Sequence, residues 1–486
     1  MESATGWSTD SFRRQGGLVL EALAQFVEES TRGEGKVSTL EPVGTLADTM
    51  DLDRLLSEGM TSDAQLEAFI RAFLEGATRL HHPGYLAHQI AIPHYASALA
   101  DLISGILNNG MSVYEMGPTA GAIEVAVIDW LLAKVGWPST GRNSGRPPTP
   151  GSIPGGGVLT HGGSLANLTS LLAARAAMAP ELWEEGGGQD LVVLAPSTSH
   201  YSLARAVATM GLGTQSLVEI PSDRLGRIVP EELPAVFQDV TASGRWVMAV
   251  CANACATATG LYDPLQAVGA FCREHRLWFH VDGAHGASAL LHPDESRRLS
   301  GVAMADSLVW DAHKLLQTSA LCAAVLFRDG RRLTRTFQQN AAYVTEGARE
   351  VGHDFIGHQF ECTKSPLGLK LLLVLAMVGE EGLASNVGVL WQSTRMIHDQ
   401  IAGHPRFEVL CEPESNILCF RHIGDDGLQT GIRQKLMREG DFLLSQADVG
   451  GRRWLRLTIM NPLTSEATIR RLLERIEEVV QEGERV

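Results

Sequence analysis

Positive charge is in short supply. The 486 residues carry 40 Lys and Arg against 56 Asp and Glu, a formal net charge of −16. A chain of that sign has no electrostatic footprint for nucleic-acid phosphates or an anionic membrane surface. Long apolar runs are absent too: Leu371–Val378 falls far short of the ~20 residues a membrane span needs. The first residues are polar (Glu2, Thr5, Ser8, Thr9, Asp10, Arg13, Arg14), so no secretory signal is expected. Cysteine is sparse and odd in number, seven in all, which reads as reduced thiols in a cytoplasm. Cys251 and Cys255 lie four apart, but no second pair or nearby His completes a zinc set, so no metal is expected. Only six tyrosines occur, none beyond Tyr343. No repeat of 20–50 residues is visible.

What is present is globular. Apolar residues make up 44% and charged residues 20%, enough for a large core in two or three structural units. Apolar periodicity predicts helices over 11–30, 63–80 and 95–136. The Pro- and Gly-rich stretch 138–157 reads as a surface loop. Beyond it short apolar strands alternate with helices: strands at 191–194, 246–251, 277–281, 307–310 and 320–327, helices at 164–178, 201–210 and 264–275. That alternation predicts βαβ units and a mostly parallel sheet covered on both faces. From 366 a long helix precedes strands near 407–410, 416–421 and 454–459 and a closing helix 464–482, the texture of a smaller α+β unit. The expected division is a helical N-terminal segment 1–94, a large domain 95–365 and a small domain 366–486.

In an open α/β sheet, ligands sit beyond the carboxyl ends of the strands. His161-Gly162-Gly163-Ser164 stands directly before a helix, where glycines admit backbone amides to an anion; a plain turn with an N-cap has the same spelling. His280-Val281-Asp282 ends a strand with a carboxylate that could hold a proton on a ring nitrogen, or simply cap or pair. Asp311-Ala312-His313-Lys314 places a lysine in apolar surroundings at another strand end, a candidate Schiff-base amine, although most lysines are solvated charges. Ser199-His200-Tyr201 follows a fourth strand. An anion cradle, an Asp and a Lys at successive strand ends are together what pyridoxal 5′-phosphate (PLP) requires: a phosphate anchor, a partner for the pyridine nitrogen and an amine for its aldehyde.

At this point the sequence resembles the group II PLP-dependent decarboxylases, which include glutamate, aromatic amino acid and L-2,4-diaminobutyrate enzymes. The resemblance runs from about His82 to Pro462. It rests on His82-Pro83-Gly84-Tyr85 with Gln89, Tyr114-Glu115-Met116-Gly117-Pro118, Gly162–Asn167, His200-Tyr201-Ser202, His280-Val281-Asp282, Asp311–Lys314, and Leu455-Arg456-Leu457 with Asn461-Pro462. The texture of Asp311–Gly330, Phe360–Lys364 and Glu412–Asn416 is most like the bacterial diaminobutyrate-decarboxylase branch. The resemblance implies the aspartate aminotransferase-like PLP fold (fold type I) and a homodimer with shared active sites. It also implies roles. Lys314 would carry PLP, Asp282 pair with its ring nitrogen, and His200 stack on the ring. Gly163, Ser164 and His313 would hold the phosphate, with Thr257 beside the cofactor. Arg456 and Gln89 would face an amino-acid substrate whose α-carboxylate leaves as CO₂.

Three positions depart from the family's pattern. A loop tyrosine that usually returns a proton to the α-carbon is missing from Gly352–His358, leaving His353, His358 or His200 for that task. Cys255-Ala256 replaces Gly-Thr before Thr257, and Gly283 replaces an alanine. These changes open a second outcome, O₂-dependent decarboxylative deamination or another lyase reaction; a non-catalytic scaffold is the reading of another class. Met111, Trp130, Gln338, Gln339 and Asn340 are candidates for the substrate pocket.

Overall fold

The computed structural model describes residues 7–138, 153–337 and 354–484. Seven strands form the large sheet: β1 (Gly156–Thr160), β2 (Leu191–Pro196), β3 (Leu217–Ile220), β4 (Trp246–Asn253), β5 (Trp278–Asp282), β6 (Ser307–Asp311) and β7 (Ala323–Phe327). Their order is β1-β7-β6-β5-β4-β2-β3. β3, β2, β4, β5 and β6 are parallel, while β7 runs antiparallel between β6 and β1. Every residue of β2, β5, β6 and β7 is buried. That is why these strands read as unbroken apolar runs instead of alternating ones. One apolar cluster fills the side holding the helix Gly163–Met178; another fills the side holding Pro118–Val135, Leu265–His275 and the long helix Leu367–Ala402. The expected α/β architecture is therefore the observed one.

A second, antiparallel sheet has the order β10-β11-β9-β8, from β8 (Phe407–Val409), β9 (Ile417–His422), β10 (Ser445–Val449) and β11 (Arg452–Thr458). Residues 84–94 stitch this small sheet to the large one. Leu86 N–H donates to Leu443 O (2.8 Å) and Thr458 N–H to Leu86 O (2.8 Å). Further along, Ala91 N–H donates to His313 O (3.1 Å) and His94 N–H to Gln317 O (2.9 Å). Gly84 must be glycine here, since a Cβ would lie 2.5 Å from Asp441 O.

Several elements differ from expectation. The helix expected over 95–136 is two, Tyr95–Leu107 and Pro118–Val135, with a single 3₁₀ turn, Tyr114–Met116, between them. Asn108 ends the first in the left-handed region (φ 48°), and Pro118, lacking an N–H, can only begin the second. β1 falls at the end of the stretch read as a loop, and β3 and β10 are too short to show a period. The long C-terminal helix is interrupted at Gly379 (φ 73°).

β1 is held by a buried charge pair. Lys364 Nζ sits 2.5 Å from Glu124 Oε1, the two side chains being 0% and 1% exposed, and also donates to Leu159 O at 2.7 Å. Leu159 N–H donates to the same Glu124 oxygen (2.9 Å). Breaking such a pair strands a buried charge, whereas replacing both partners with apolar groups does not. Glu124→Ala is expected to lower the urea-unfolding free energy by about 3–5 kcal/mol, and Glu124→Leu with Lys364→Met to recover most of that loss. Equal losses in the two variants would show that the pair is not what holds β1.

Candidate active site

β1, β2, β4, β5 and β6 end on the same side of the sheet, so the polar residues at their termini converge. β6 ends at Asp311, and one helical turn, Ala312–Leu315, presents Lys314 with its Nζ 3.3 Å from Asp311 Oδ2. His313 Nε2 lies 3.6 Å from the same oxygen. On the other side of this imidazole, Nδ1 lies 2.8 Å from Cys322 O and 3.3 Å from Cys322 N; the shorter contact is to an oxygen that can only accept, which makes Nδ1 the donor. Burial pushes the Asp311 carboxyl above its ordinary range, opposed by Lys314 and His313 and reinforced by Asp282. Its Oδ1 has no hydrogen-bond partner.

After β1 the chain turns through Gly162, whose φ of 105° excludes most other residues, into the helix Gly163–Met178. The first-turn amides of Gly163 and Ser164 have no carbonyl within the helix to accept from them, an arrangement suited to an anion. Gly163 is demanded by more than ligand approach. A Cβ there would meet Asp311 Oδ2 at 2.8 Å, so the carboxylate packs directly on the helix's first residue.

Asp282 ends β5. Its Oδ1 accepts from Ala284 N–H (3.2 Å) and its Oδ2 from Asn167 Nδ2 (2.9 Å). The Asn167 amide also donates to Ser202 Oγ (2.8 Å), so its oxygen must accept from His280 Nε2 (2.9 Å). That fixes the His280 tautomer: Nε2 carries the proton, while Nδ1 faces Ser170 Oγ and Ser307 Oγ, each at 2.9 Å. Burial lowers the His280 pKa to about 4 against the pull of Asp282, keeping the ring neutral. Ser202 Oγ continues the chain to His200 Nδ1 (2.9 Å), and Ser202 N–H also donates to that nitrogen (3.3 Å). His200 therefore carries its proton on Nε2. Burial depresses its pKa as the main effect, with Asp282 and Asp311 opposing and Lys314 assisting.

The cleft these strand ends enclose measures about 250 Å³. Of the residues singled out from the sequence, Gly163, Ser164, His200, Thr257, Asp282, His313 and Lys314 all line it. Cys255 lines it as well, buried and with its thiol pushed up to about 12 by burial, so it stays protonated. His285, not singled out from the sequence, is a further lining residue. Its Nε2 lies 2.7 Å from Asn416 Oδ1, and because Asn416 Nδ2 donates to Ile459 O (2.9 Å), His285 must hold its proton on Nε2. Its Nδ1 is a buried acceptor without a partner, and burial takes its pKa down to about 3. The one signal in the sequence was its place three residues beyond Asp282 at a strand end.

Arg456 stands on β11, outside the residues lining the cleft, yet its charge is felt by both Cys255 and His285. It is 5% exposed. Nη1 donates to Ala87 O (3.1 Å) and Ser445 Oγ (3.0 Å), while Nε and Nη2 have no partner. Gln89 Nε2 is likewise buried and unpartnered. Three more of the residues singled out from the sequence lie off the cleft lining. Trp130 donates to Glu380 (3.0 Å) and packs near Trp310, away from the cleft. Met111 is buried in the apolar cluster beside the helix Gly163–Met178, and neither residue lines the cleft. His358 bonds to Thr334 Oγ1 and Asp354 O, each at 2.9 Å, and does not line the cleft either. Gln338, Gln339, Asn340, Tyr343 and His353 lie outside the described residues. No cluster of three or more His, Cys, Asp or Glu among the described residues is arranged to hold a metal ion.

Comparison with known proteins points the same way. The pyridoxal-dependent decarboxylase conserved domain matches residues 58–423. The chain is 27% identical to acidic amino acid decarboxylase GADL1 of Mus musculus, over 95% of this chain and 84% of that protein. It is 26% identical to L-2,4-diaminobutyrate decarboxylase of Acinetobacter baumannii, over 88% and 85%. The crystal structure of mouse CSAD superposes with a TM-score of 0.89 at 26% identity, covering 97% of this chain and 99% of that one.

The Asn167 bridge is open to test. Asn167→Ala leaves Asp282 Oδ2 and His280 Nε2 each without a partner and is expected to destabilise the fold by about 1–3 kcal/mol. Asn167→Asp sets a second carboxylate against Asp282 and is expected to destabilise it further. Thermal unfolding of both variants at neutral pH would reveal this ranking; the reverse ranking contradicts the bridge.

Proposed function

Because the chain belongs to the pyridoxal-dependent decarboxylase family, we propose that it removes the α-carboxylate of an L-amino acid as CO₂ in the cleft built around Lys314. It is a PLP-dependent carboxy-lyase, and the residues present fit that cofactor. The amine, the carboxylate Asp282 and the two free helix-terminal amides line a single cleft. The observation that carries the reading is Arg456: a buried guanidinium with two unmet donors and no carboxylate of its own, next to that cleft. Leaving such donors unpaired is costly, and an anionic substrate group is the partner they are shaped for.

When bound, the cofactor supplies an electron sink for the bond that breaks. The chain's own residues do the rest. Lys314 would hold the cofactor by its amine and yield it to the substrate amine. Asp282, oriented by Asn167 and Ala284 N–H, would keep a proton on the ring nitrogen. His200 would lie against the ring, and Gly163, Ser164 and His313 would take the phosphate, with Thr257 alongside. Arg456 and Gln89 would set the direction of the substrate carboxylate, so that its bond to the α-carbon stands across the ring plane. Of the three histidines weighed as proton donors, His200 lines the cleft and carries a proton on Nε2. To protonate the α-carbon after CO₂ leaves, His200 would first take up a second proton and act as the imidazolium, since the neutral ring's own N–H is too weak an acid.

A homodimer is part of the same proposal. The helix Tyr95–Leu107 leaves Tyr95, Leu102, Ile103, Ile106 and Leu107 exposed, an apolar face of the kind a partner copy covers. All seven cysteines are unpaired, which supports a reducing, cytoplasmic setting.

Titrating the purified holoenzyme with amino acids, while recording the visible spectrum, CO₂ and O₂, tests the activity. The expected result is CO₂ without O₂ uptake, and O₂ consumption would assign the oxidative outcome instead. Arg456→Gln is expected to reduce kcat/KM on the order of 10²–10³-fold, about 3–4 kcal/mol, with cofactor binding unchanged. Unchanged kcat/KM would remove Arg456 from substrate binding. Leu102→Glu with Ile106→Glu is expected to yield monomers by light scattering, and a dimer surviving both changes would place the interface elsewhere.

A further inference from the structure

Asp311 is poorly placed for an acidic residue. It is 2% exposed, packs on the first residue of the helix Gly163–Met178, and leaves Oδ1 without a partner. Its nearest cation is Lys314 Nζ, at 3.3 Å. On the present assignment, that nitrogen is the atom that condenses with the cofactor aldehyde. The helix terminus beneath the carboxylate is where the cofactor phosphate would lie. Loading the cofactor thus draws the carboxylate's counter-ion into an imine, which is a weaker base than the free amine and shares its charge with the cofactor, and brings a second anion to the carboxylate's side. In a water-poor cleft two facing anions cost several-fold to many-fold in affinity unless a proton comes between them.

The acceptor for such a proton is at hand. His313 donates through Nδ1 to Cys322 O, so in its neutral form Nε2 directs a lone pair at Asp311 Oδ2, 3.6 Å away. Two lone pairs facing one another there have room for one proton. The other titratable groups around Asp311 do not substitute for it. Asp282 at the end of β5 is a carboxylate and raises the Asp311 pKa. His200 beyond β2 is held neutral by burial. His161 beyond β1 is engaged by Glu361 (2.7 Å), and the Cys322 thiol ahead of β7 is pushed up to about 12.

We propose that the Asp311–His313 pair takes up one proton when the phosphorylated cofactor loads, and that this proton replaces Lys314 as the partner of the buried carboxylate. The inference rests on Lys314 as the cofactor lysine. The pair titrates as a unit, and its proton affinity is higher in the loaded site than in the empty one. The affinity linked to that proton is fully present below the pair's pKa in the free protein. It is lost as pH rises towards the pair's pKa in the loaded protein. Burial already raises the Asp311 carboxyl in the free protein, so the window lies on the alkaline side of the ordinary carboxylate range.

PLP affinity, read from the visible band of the lysine-bound cofactor across roughly pH 6 to 9.5, tests this in wild type and Asp311→Asn. The imine also titrates, and because Asp311 lies 3.3 Å from its nitrogen it does so at a different pH in each protein; its pKa is read from the band in each and its share of the pH dependence subtracted. The wild-type dissociation constant is expected to climb relative to that of the variant by up to about tenfold per pH unit. A constant ratio across the range overturns the proposal. A second measurement needs no variant: proton uptake by wild type, from calorimetry in buffers of different ionisation enthalpy near pH 8. Uptake is expected to be greater, by up to about one proton, for PLP than for 5′-deoxypyridoxal, which forms the same imine without a phosphate. Equal uptake overturns the proposal while leaving Lys314 in place. No band with either aldehyde overturns the Lys314 assignment and this inference with it.

Discussion

A carboxylate placed under a covered sheet has to find donors, and in this protein that requirement organises the site. Asp282 takes one backbone amide and one side-chain amide, and the side-chain amide comes from Asn167, on the first turns of the helix that begins at the anion cradle. Because Asn167 has a single oxygen to offer, it fixes the His280 tautomer. Because it has a second N–H, it reaches Ser202 and through it His200. One amide thereby couples the ends of β1, β2 and β5, and the three side chains with proposed cofactor roles there cannot shift independently. Such a network is favourable only when every member is satisfied, which makes its weakest member the place where substitutions are felt most.

The small domain supplies the complementary half. Residues 84–94 hydrogen-bond to the small sheet at one end and to the Lys314 turn at the other, so Arg456 on β11 is held in register with a lysine more than a hundred positions away in sequence. His285 bonds Asn416 across the same junction. The cleft is therefore bounded by the satisfied network around Asp282 on its large-domain side and by the unmet donors of Arg456 and Gln89 on the side of the small sheet. The first suits a resident group that stays. The second suits a substrate that arrives and leaves, since donors waiting for a partner contribute to binding only when one comes.

Much of the large domain was legible in the sequence because its physics is local. Strands buried on both faces read as short apolar runs, and their polar final residues announce the ligand edge. Lys314, Asp282 and the glycine turn could be read as a set for that reason. What stayed hidden depends on contacts distant in sequence. The pairing of His285 with Asn416 spans 131 positions, and nothing in the spacing of either residue announces it. The role of Asp311 emerges only once Gly163 is seen packed on its carboxylate. The helix read as continuous over 95–136 fails for a local reason that apolar periodicity overrode, the left-handed Asn108 and the proline at 118. The contact of Trp130 with Glu380 was hidden because a helix with apolar residues on every side does not show which face looks into the cleft.

The proposed chemistry of the cleft depends on Lys314 being the amine that holds the cofactor. Reducing the PLP-loaded protein with borohydride and mapping the modified peptide by mass spectrometry tests that most directly. A single phosphopyridoxyl group on the peptide containing Lys314 is expected. A group fixed on another lysine, or no fixed group on a protein that binds PLP, would contradict it.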